Sequence, residues 1–485
     1  MTGERDATLV RPAEVCAAPE RAPADWVSLP GVARVLERLA GTGPACVARA
    51  PGRLDVIGGL AEYTGGLVVN TPIAQQVHVA VRPRSDGAVS IDVVGADGST
   101  PHAGTLLPAD RTLADAVDPI AALNGRGSGA GPVSGLVRCV AGALFEMVRG
   151  GLVRDLGGGV SVAIGSELDE LSDVGAHAAA AAATLVATAS ALDVSLEPAA
   201  AAMLCQTVEN RWIGVPVGAA DSMCALVGRA GALGQWLCCP CTAVGSTALP
   251  DGVALVGIDC GAKPRTAAAK YRSARTASFM GRVVIERIVA HEGYDELRWN
   301  GYVSNLSVED YILRFRDRIP KKISGRAFLD LFAETGDPLT RVDPSTVYNV
   351  RSRTEHHIYE NARAHGFVGC LARAQRKGDG AALGEAGKLM YASHWSYGQR
   401  CGLGSVETDL LVGLVRRFAR DAGVFGAKIT GRGGGGVVVV LMRTTDAARG
   451  ALDEAMAAYR EKTKRTPCLI TGSLPGAIVT GAEHV

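Results

Sequence analysis

Residues 50–73 read APGRLDVIGGLAEYTGGLVVNTPI, and this stretch decides how the first half of the chain folds. Arg53 and Glu62 flank the doubled glycine Gly58-Gly59, a second pair follows at Gly65-Gly66, and a strand-like run ends in Asn70-Thr71-Pro72. The apolar pieces Leu54–Ile57 and Leu67–Val69 are too short for helices, and glycines bound them on the turn side, which predicts two strands joined by a tight polar turn. Fixed charges on such a turn form a small pocket with accessible backbone, suited to a hydroxylated ligand. The plainer alternative is a surface hairpin with incidental charges.

A chain of 485 residues exceeds what one hydrophobic core covers, so two or more domains are expected. With 47% hydrophobic and 20% charged residues it has the make-up of an ordinary globular enzyme. Fifty basic against forty-nine acidic residues leave a net charge of +1 and no basic stripe, so nothing points to nucleic acid as a partner. The opening residues are charged and lack an apolar core, which argues against a secretory signal; residues 1–28 read as a mobile leader. The one stretch resembling a membrane span, Gly175 to Leu192, is mostly alanine, which favours helix far more than lipid, so a buried packing helix is expected and no membrane. Twelve cysteines are scattered, and Cys238-Cys239-Pro240-Cys241 lacks the spacing of zinc ligands; it reads as small buried side chains, and the set as reduced thiols of a cytoplasmic protein.

Amphipathic stretches (Pro132–Glu146, Ala178–Leu192, Pro198–Arg211) alternate with β-branched runs (Cys46–Ala48, Val77–Val81, Val89–Val94, Val160–Ile164). Further strands are expected at Val253–Ile258 and Gly436–Met442. The mixture follows no strict βαβα repeat, so the class is α+β.

The opening stretch resembles the first motif of the GHMP small-molecule kinases, in the L-arabinokinase branch beside galactokinase. The similarity recurs in order through CQTVENRWIGVPVGAADSM (205–223), KYRSARTASFMGR (270–282), YVSNLS (302–307), RTEHHIYENARA (353–364), CGLGSVETDLL (401–411), GAKITGRGGGG (426–436) and SLPGA (473–477). The resemblance implies a two-domain fold, with a ribosomal-protein-S5-like domain over 29–240, a ferredoxin-like domain over 241–485, and the ligand cleft between them. It also implies phosphorylation of the anomeric hydroxyl of a sugar, with ATP and magnesium as cofactors.

Kinase chemistry on a hydroxyl needs a group that orients the nucleophile, cations for the transferring phosphoryl group, and donors for the triphosphate. By resemblance Asp221 accepts or polarises the anomeric hydroxyl, and Arg53 stabilises Asp221 and contacts the phosphoryl group; the structural alternative for both is an ion pair. Glu209 matches a magnesium ligand, or is a solvated helix charge. Glu62 takes the place of an acid that binds sugar hydroxyls, with Gly59 beside it, and Tyr271 matches a tyrosine of the sugar pocket or is a core residue. The turn at Gly431, Gly433 and Gly434 packs under the active site in the family, and here Arg432 interrupts it.

The chain departs from the family at the serine-bearing phosphate loop. SDVGAHAAAAAATLVATASAL (172–192) keeps Gly175 but places Ala179 and Ala180 where serines are expected, and Leu185 where glutamate is common. The helix N-terminus still offers N–H groups to an anion. Glu167, Asp169, Glu170 and Asp173 crowd its approach, where they favour the helix by roughly 0.3–1 kcal/mol each but repel a triphosphate. Ser222 follows Asp221 where glutamine is usual, and Arg211 replaces a residue commonly acidic or His. Three readings stand side by side: the kinase, an ATP-independent acid–base enzyme in the same cleft using His177 against Asp221, and a silent sugar-binding protein.

Overall fold

The computed structural model describes residues 26–95, 102–108, 115–116, 118, 134–263, 267–294, 299–377, 380–418 and 422–485. Most of the predicted leader lies outside this set. Its last three residues, Trp26–Ser28, form a turn, and Trp26 is buried with the Arg49 guanidinium 4.8 Å over its ring, so the packed chain begins before residue 29.

The first sheet contains β1 (Cys46–Ile57), β2 (Val68–Pro83), β3 (Ala88–Val94), β4 (His102–Pro108), β5 (Gly159–Ser166), β6 (Ala232–Cys238) and β7 (Cys241–Ala248). Its path runs β1-β2-β5-β3-β4, with β6 on the near end of β2 and β7 outside β6; among the described strands only β3 and β5 pair in parallel. The predicted strand–turn–strand is present: Ile57 lies opposite Val69, and a 3₁₀ turn at Gly59–Thr64 joins the strands between Gly58 and Gly65, both in the left-handed region. The turn is buried rather than a surface hairpin. The second strand does not stop at Pro72 but runs on through Val77–Val81. Pro72 lies opposite Arg53 beside the register shift after Pro51, and an irregular site in a ladder tolerates a residue without an N–H.

The alanine run forms the Ala176–Ala191 helix and packs on β1 and β2, with thirteen of its residues buried. Small side chains let helix and sheet approach closely on every side, so the pattern is apolar all round rather than amphipathic. No described helix is long and apolar enough to cross a membrane. The Pro198–Val208 helix, started by the Glu197 side chain, does not continue in register to Arg211; Glu209–Ile213 winds into a π turn ended by Gly214 at φ +79°.

The second sheet contains β8 (Val253–Asp259) and, after the two-residue pair β9 (Ile323–Ser324) and β10 (Val347–Tyr348), β11 (Val424–Ile429), β12 (Val437–Arg443) and β13 (Cys468–Ile470). Its order is β11-β12-β8-β13, all antiparallel, and the Val406–Phe418 and Asp446–Thr463 helices share its core. A final strand, β14 (Glu483–His484), returns to pair with β1. The first sheet extends through Ala248, past residue 240, and regains chain at its C-terminal end. The long Val350–Lys377 and Gly380–Ser396 helices pack together and bridge the sheets. A Cβ on Gly387 would lie 1.9 Å from the Phe425 carbonyl oxygen, so glycine permits that helix to lie on β11.

Candidate active site

Arg53 leaves β1 beside the bulge, and its amide donates to the Val174 carbonyl at 2.8 Å, holding the strand against the loop before the alanine helix. Its guanidinium is 2% exposed. Nε and Nη2 each donate to one oxygen of Asp221 at 2.6 Å, and Nη1 donates to the Asp173 carbonyl at 2.5 Å. Asp221 lies in the first turn of the Ala220–Val227 helix, with its side chain 20% exposed. Burial works against the Arg53 charge, but Asp221, then Asp173 and Asp55, more than offset it and raise its pKa. The two residues singled out for chemistry are thus joined in a bidentate pair whose carboxylate is open to solvent.

Two further carboxyls crowd Asp221. Glu62, on the 3₁₀ turn, is pushed up to about 7 by burial and then by Asp221, while it accepts the Gly218 N–H at 2.7 Å. A Cβ on Gly218 would fall 2.5 Å from Glu62 Cδ, so that glycine lets the acid reach the turn before Asp221. Glu209, presented by the π turn, is pushed up to about 8 by burial and then by Asp221, and its Oε2 is buried without a partner. Tyr271 is buried edge-on to Tyr63, and its hydroxyl likewise has no partner. Gly59 serves its neighbour: a Cβ there would fall 1.8 Å from Asp55 Oδ2.

The donor set suits magnesium. An orphaned carboxyl oxygen is what a hard cation would take, and it is a single ligand: among the described residues no group of three or more acidic, His or Cys side chains is placed to hold a metal, here or elsewhere. Magnesium commonly takes one or two carboxylates and completes its shell with water and substrate phosphate.

The phosphate-loop region differs from the expectation in two ways. Ala179 and Ala180 are fully buried in the core, and only Gly175 and His177 reach partial exposure at the start of the helix. Gly175 adopts φ +85°, and a Cβ there would meet Arg53 Cγ at 3.2 Å. The four acids that were expected to repel a triphosphate are instead matched within the fold. Glu167 meets His78 at 3.3 Å, Asp169 meets Lys263, Glu170 meets His177 at 3.0 Å, and Asp173 meets Arg432 Nε at 2.8 Å. His177 therefore pairs with Glu170, so it is not placed as the partner that the ATP-independent reading set against Asp221. Arg211 is structural: with Trp212 Nε1 at 2.9 Å it satisfies the buried Glu146. Ser222 is fully buried with its hydroxyl unpaired.

The C-terminal glycine turn closes over this loop. Gly431, Gly433 and Gly434 all have positive φ, a Cβ on Gly431 would fall 2.5 Å from Asp173 Oδ2, and the Gly434 N–H donates to Leu403 O at 2.5 Å.

Sequence reasoning passed over the group behind Arg53. Asp55 is pushed up to about 6 by burial, against the opposing pull of Lys428 and Arg53; its backbone exchanges hydrogen bonds with the Thr430 hydroxyl at 2.6 and 3.0 Å. Lys428 is fully buried, 3.9 Å from Asp55 Oδ2 and 4.7 Å over the Tyr397 ring. The available signal was Asp55 itself, an acid at a strand position between apolar neighbours. A cavity of about 220 Å³ lies behind the turn, lined by Tyr63, Gly218, Cys239, Arg275, Phe279 and Tyr302. Its lining lacks Arg53, Asp221 and Glu209, so it adjoins the carboxyl cluster rather than containing it.

Residues 37–83 match the galactokinase galactose-binding signature, 135–229 the GHMP kinases N terminal domain, and 379–461 the GHMP kinases C terminal family. The chain is 33% identical over 480 residues to the L-arabinokinase of Arabidopsis thaliana, covering 89% of this chain but 46% of that protein. It therefore spans about half the length of that relative. A galactokinase of Mycobacterium tuberculosis is 26% identical over 84% of this chain and 92% of its own. The crystal structure of Lactococcus lactis galactokinase complexed with galactose superposes with a TM-score of 0.68 at 18% identity, covering 90% of this chain and 95% of that one. Methanococcus jannaschii mevalonate kinase superposes at 0.50, with 12% identity and coverage of 88% and 98%. With both domain families matched in order and the galactose-binding signature falling on the strand–turn–strand unit that carries Arg53 and Glu62, the chain belongs to the GHMP kinase superfamily, in its L-arabinokinase/galactokinase-like branch.

Proposed function

We propose that this chain phosphorylates the anomeric hydroxyl of a sugar with ATP. The observation that carries this reading is the buried bidentate Arg53–Asp221 pair, whose carboxylate alone of the two faces solvent. Arg53 holds Asp221 by both oxygens at the mouth of the site, where the carboxylate accepts a hydrogen bond from the sugar hydroxyl and then its proton. The sugar oxygen forms its bond to the γ-phosphorus as the bridging oxygen–phosphorus bond breaks, and ADP leaves with the electron pair. The unpaired Tyr271 hydroxyl and the Glu62 carboxyl supply polar contacts for the remaining hydroxyls. Glu209 would hold magnesium, which when bound neutralises phosphate charge.

The test is calorimetric titration of magnesium-ATP into the purified protein, followed by a coupled assay with L-arabinose and with galactose. Nucleotide binding and turnover that falls about 10²-fold or more in Asp221→Asn are expected. No binding at millimolar nucleotide would overturn the reading.

A further inference from the structure

Between Gly431 and Gly436 the only side chain beyond glycine's hydrogen is Arg432. The turn that carries it cannot shift easily. Its glycines occupy φ values of +66°, +79° and +65° at Gly431, Gly433 and Gly434, and a Cβ on Gly433 would lie 2.7 Å from Leu403 Cβ. Arg432 is held by one edge: its amide donates to Asp173 Oδ2 at 2.6 Å and its Nε to Asp173 Oδ1 at 2.8 Å. Among the described residues its two terminal nitrogens have no hydrogen-bond partner, yet they are not among the buried unsatisfied atoms, and the side chain is 24% exposed. The forked end of the guanidinium is therefore open. Asp173 also lies 3.9 Å from Arg53 Nη2, so the two guanidinium groups stand on one carboxylate, and Asp173, Glu209 and Asp221 hold the Arg432 charge on against burial.

Across from it, the loop that usually offers hydroxyls to phosphate offers none, since Ala178 through Ala183 are all fully buried. A guanidinium fork binds two phosphate oxygens at once, and an arginine on the transferring group stabilises the charge it spreads.

Resting on the proposed kinase reading, we infer that Arg432 contacts the γ-phosphoryl group of ATP directly, supplying from the C-terminal glycine turn the contact that the alanine loop cannot make. Asp173 positions the guanidinium by its inner edge, and the terminal nitrogens meet the phosphoryl oxygens. The competing role is a latch, in which Arg432 does no more than tie the turn to Asp173.

The experiment uses the full chain, with calorimetry of magnesium-ATP and magnesium-ADP, thermal unfolding, and turnover with L-arabinose as the probe acceptor. Arg432→Ala is expected to weaken ATP about 10-fold while leaving ADP within about twofold, and to lower kcat about 10²–10³-fold. Arg432→Lys keeps a cation against Asp173 but loses the fork, so unfolding stays near wild type while kcat falls about 10-fold. Asp173→Asn frees the guanidinium from its counter-charge and is expected to hold or tighten ATP. The inference is overturned if Arg432→Ala and Asp173→Asn lose ATP and ADP alike in step with stability, the mark of a latch. A wild-type kcat in Arg432→Lys also overturns it, and this variant decides if Arg432→Ala does not fold. Wild-type protein that binds no nucleotide removes the kinase reading and this inference together. Wild-type protein that turns over while Arg432→Ala matches it removes this inference alone.

Discussion

Glu209 shows how placement changes a residue's chemistry. Its ordinary value is 4.5 and burial beside Asp221 pushes it up to about 8, so across that window the folded chain keeps a proton that the unfolded chain has released. The contribution of this group to stability without ligands should therefore fall as pH rises from about 4.5 to about 8, by several kcal/mol. Glu209→Gln keeps the shape and removes the titration, so the unfolding midpoint should depend less steeply on pH. Below about 7, Glu62 and Asp55 are shifted in the same direction and add to the fall, while the buried His356 and His357, held neutral by burial, oppose it. A cation reverses the preference: magnesium at neutral pH should raise the wild-type midpoint and leave Glu209→Gln unmoved. Equal pH slopes in the two proteins would show that Glu209 is ionised in the fold.

The Ala176–Ala191 helix makes the element-scale point. Its serine-to-alanine departures look like a nucleotide loop stripped of its ligands, but in place the side chains of Ala179 and Ala180 face the core. Restoring hydroxyls by Ala179→Ser with Ala180→Ser should not tighten ATP. A hydroxyl there has one local outlet, the carbonyl one turn back, as Thr184 uses Ala180 O at 2.8 Å. The double change is expected to cost about 1–2 kcal/mol by urea unfolding, with nucleotide affinity unchanged. Tighter ATP binding would mean that the helix turns this face to the cleft. The residues of this segment that do face the site are Gly175, which makes room for Arg53, and Asp173, which holds Arg432.

On the scale of the whole molecule, the site lies where two sheets meet, and one hydroxyl ties them. Thr430, following β11, accepts the Asp55 N–H and donates to the Asp55 carbonyl in β1, both residues being buried. Thr430→Val keeps the volume, strands the Asp55 N–H and leaves the Asp55 carbonyl only Lys428 Nζ at 3.4 Å, at a cost of about 1–3 kcal/mol. The urea midpoint should drop accordingly, and kcat with it, because Asp55 lies on the strand that aims Arg53. A variant with the wild-type midpoint would show that the sheets dock without this bond.

The sequence by itself determined the local elements and the order of the family's blocks. The β1–turn–β2 unit, the alanine helix and the valine strand β12 follow from periodicity and glycine placement, which act over a few residues. Arg53 and Asp221 were legible for the same reason, since each sits in a short motif of its own. The strand end expected at Pro72 and the single helix expected through Arg211 give way where a bulge and a π turn interrupt the period. Only the tertiary structure decided what those motifs face. Arg432 and Asp173 meet across 259 residues, and Thr430 and Asp55 across 375. The protonation of Glu62 and Glu209 depends on burial beside a third carboxylate, and the acids that looked repulsive in line each found a partner in space. Charge and desolvation act through distance, and distance between remote segments is set by how the sheets and helices pack, which no local pattern encodes.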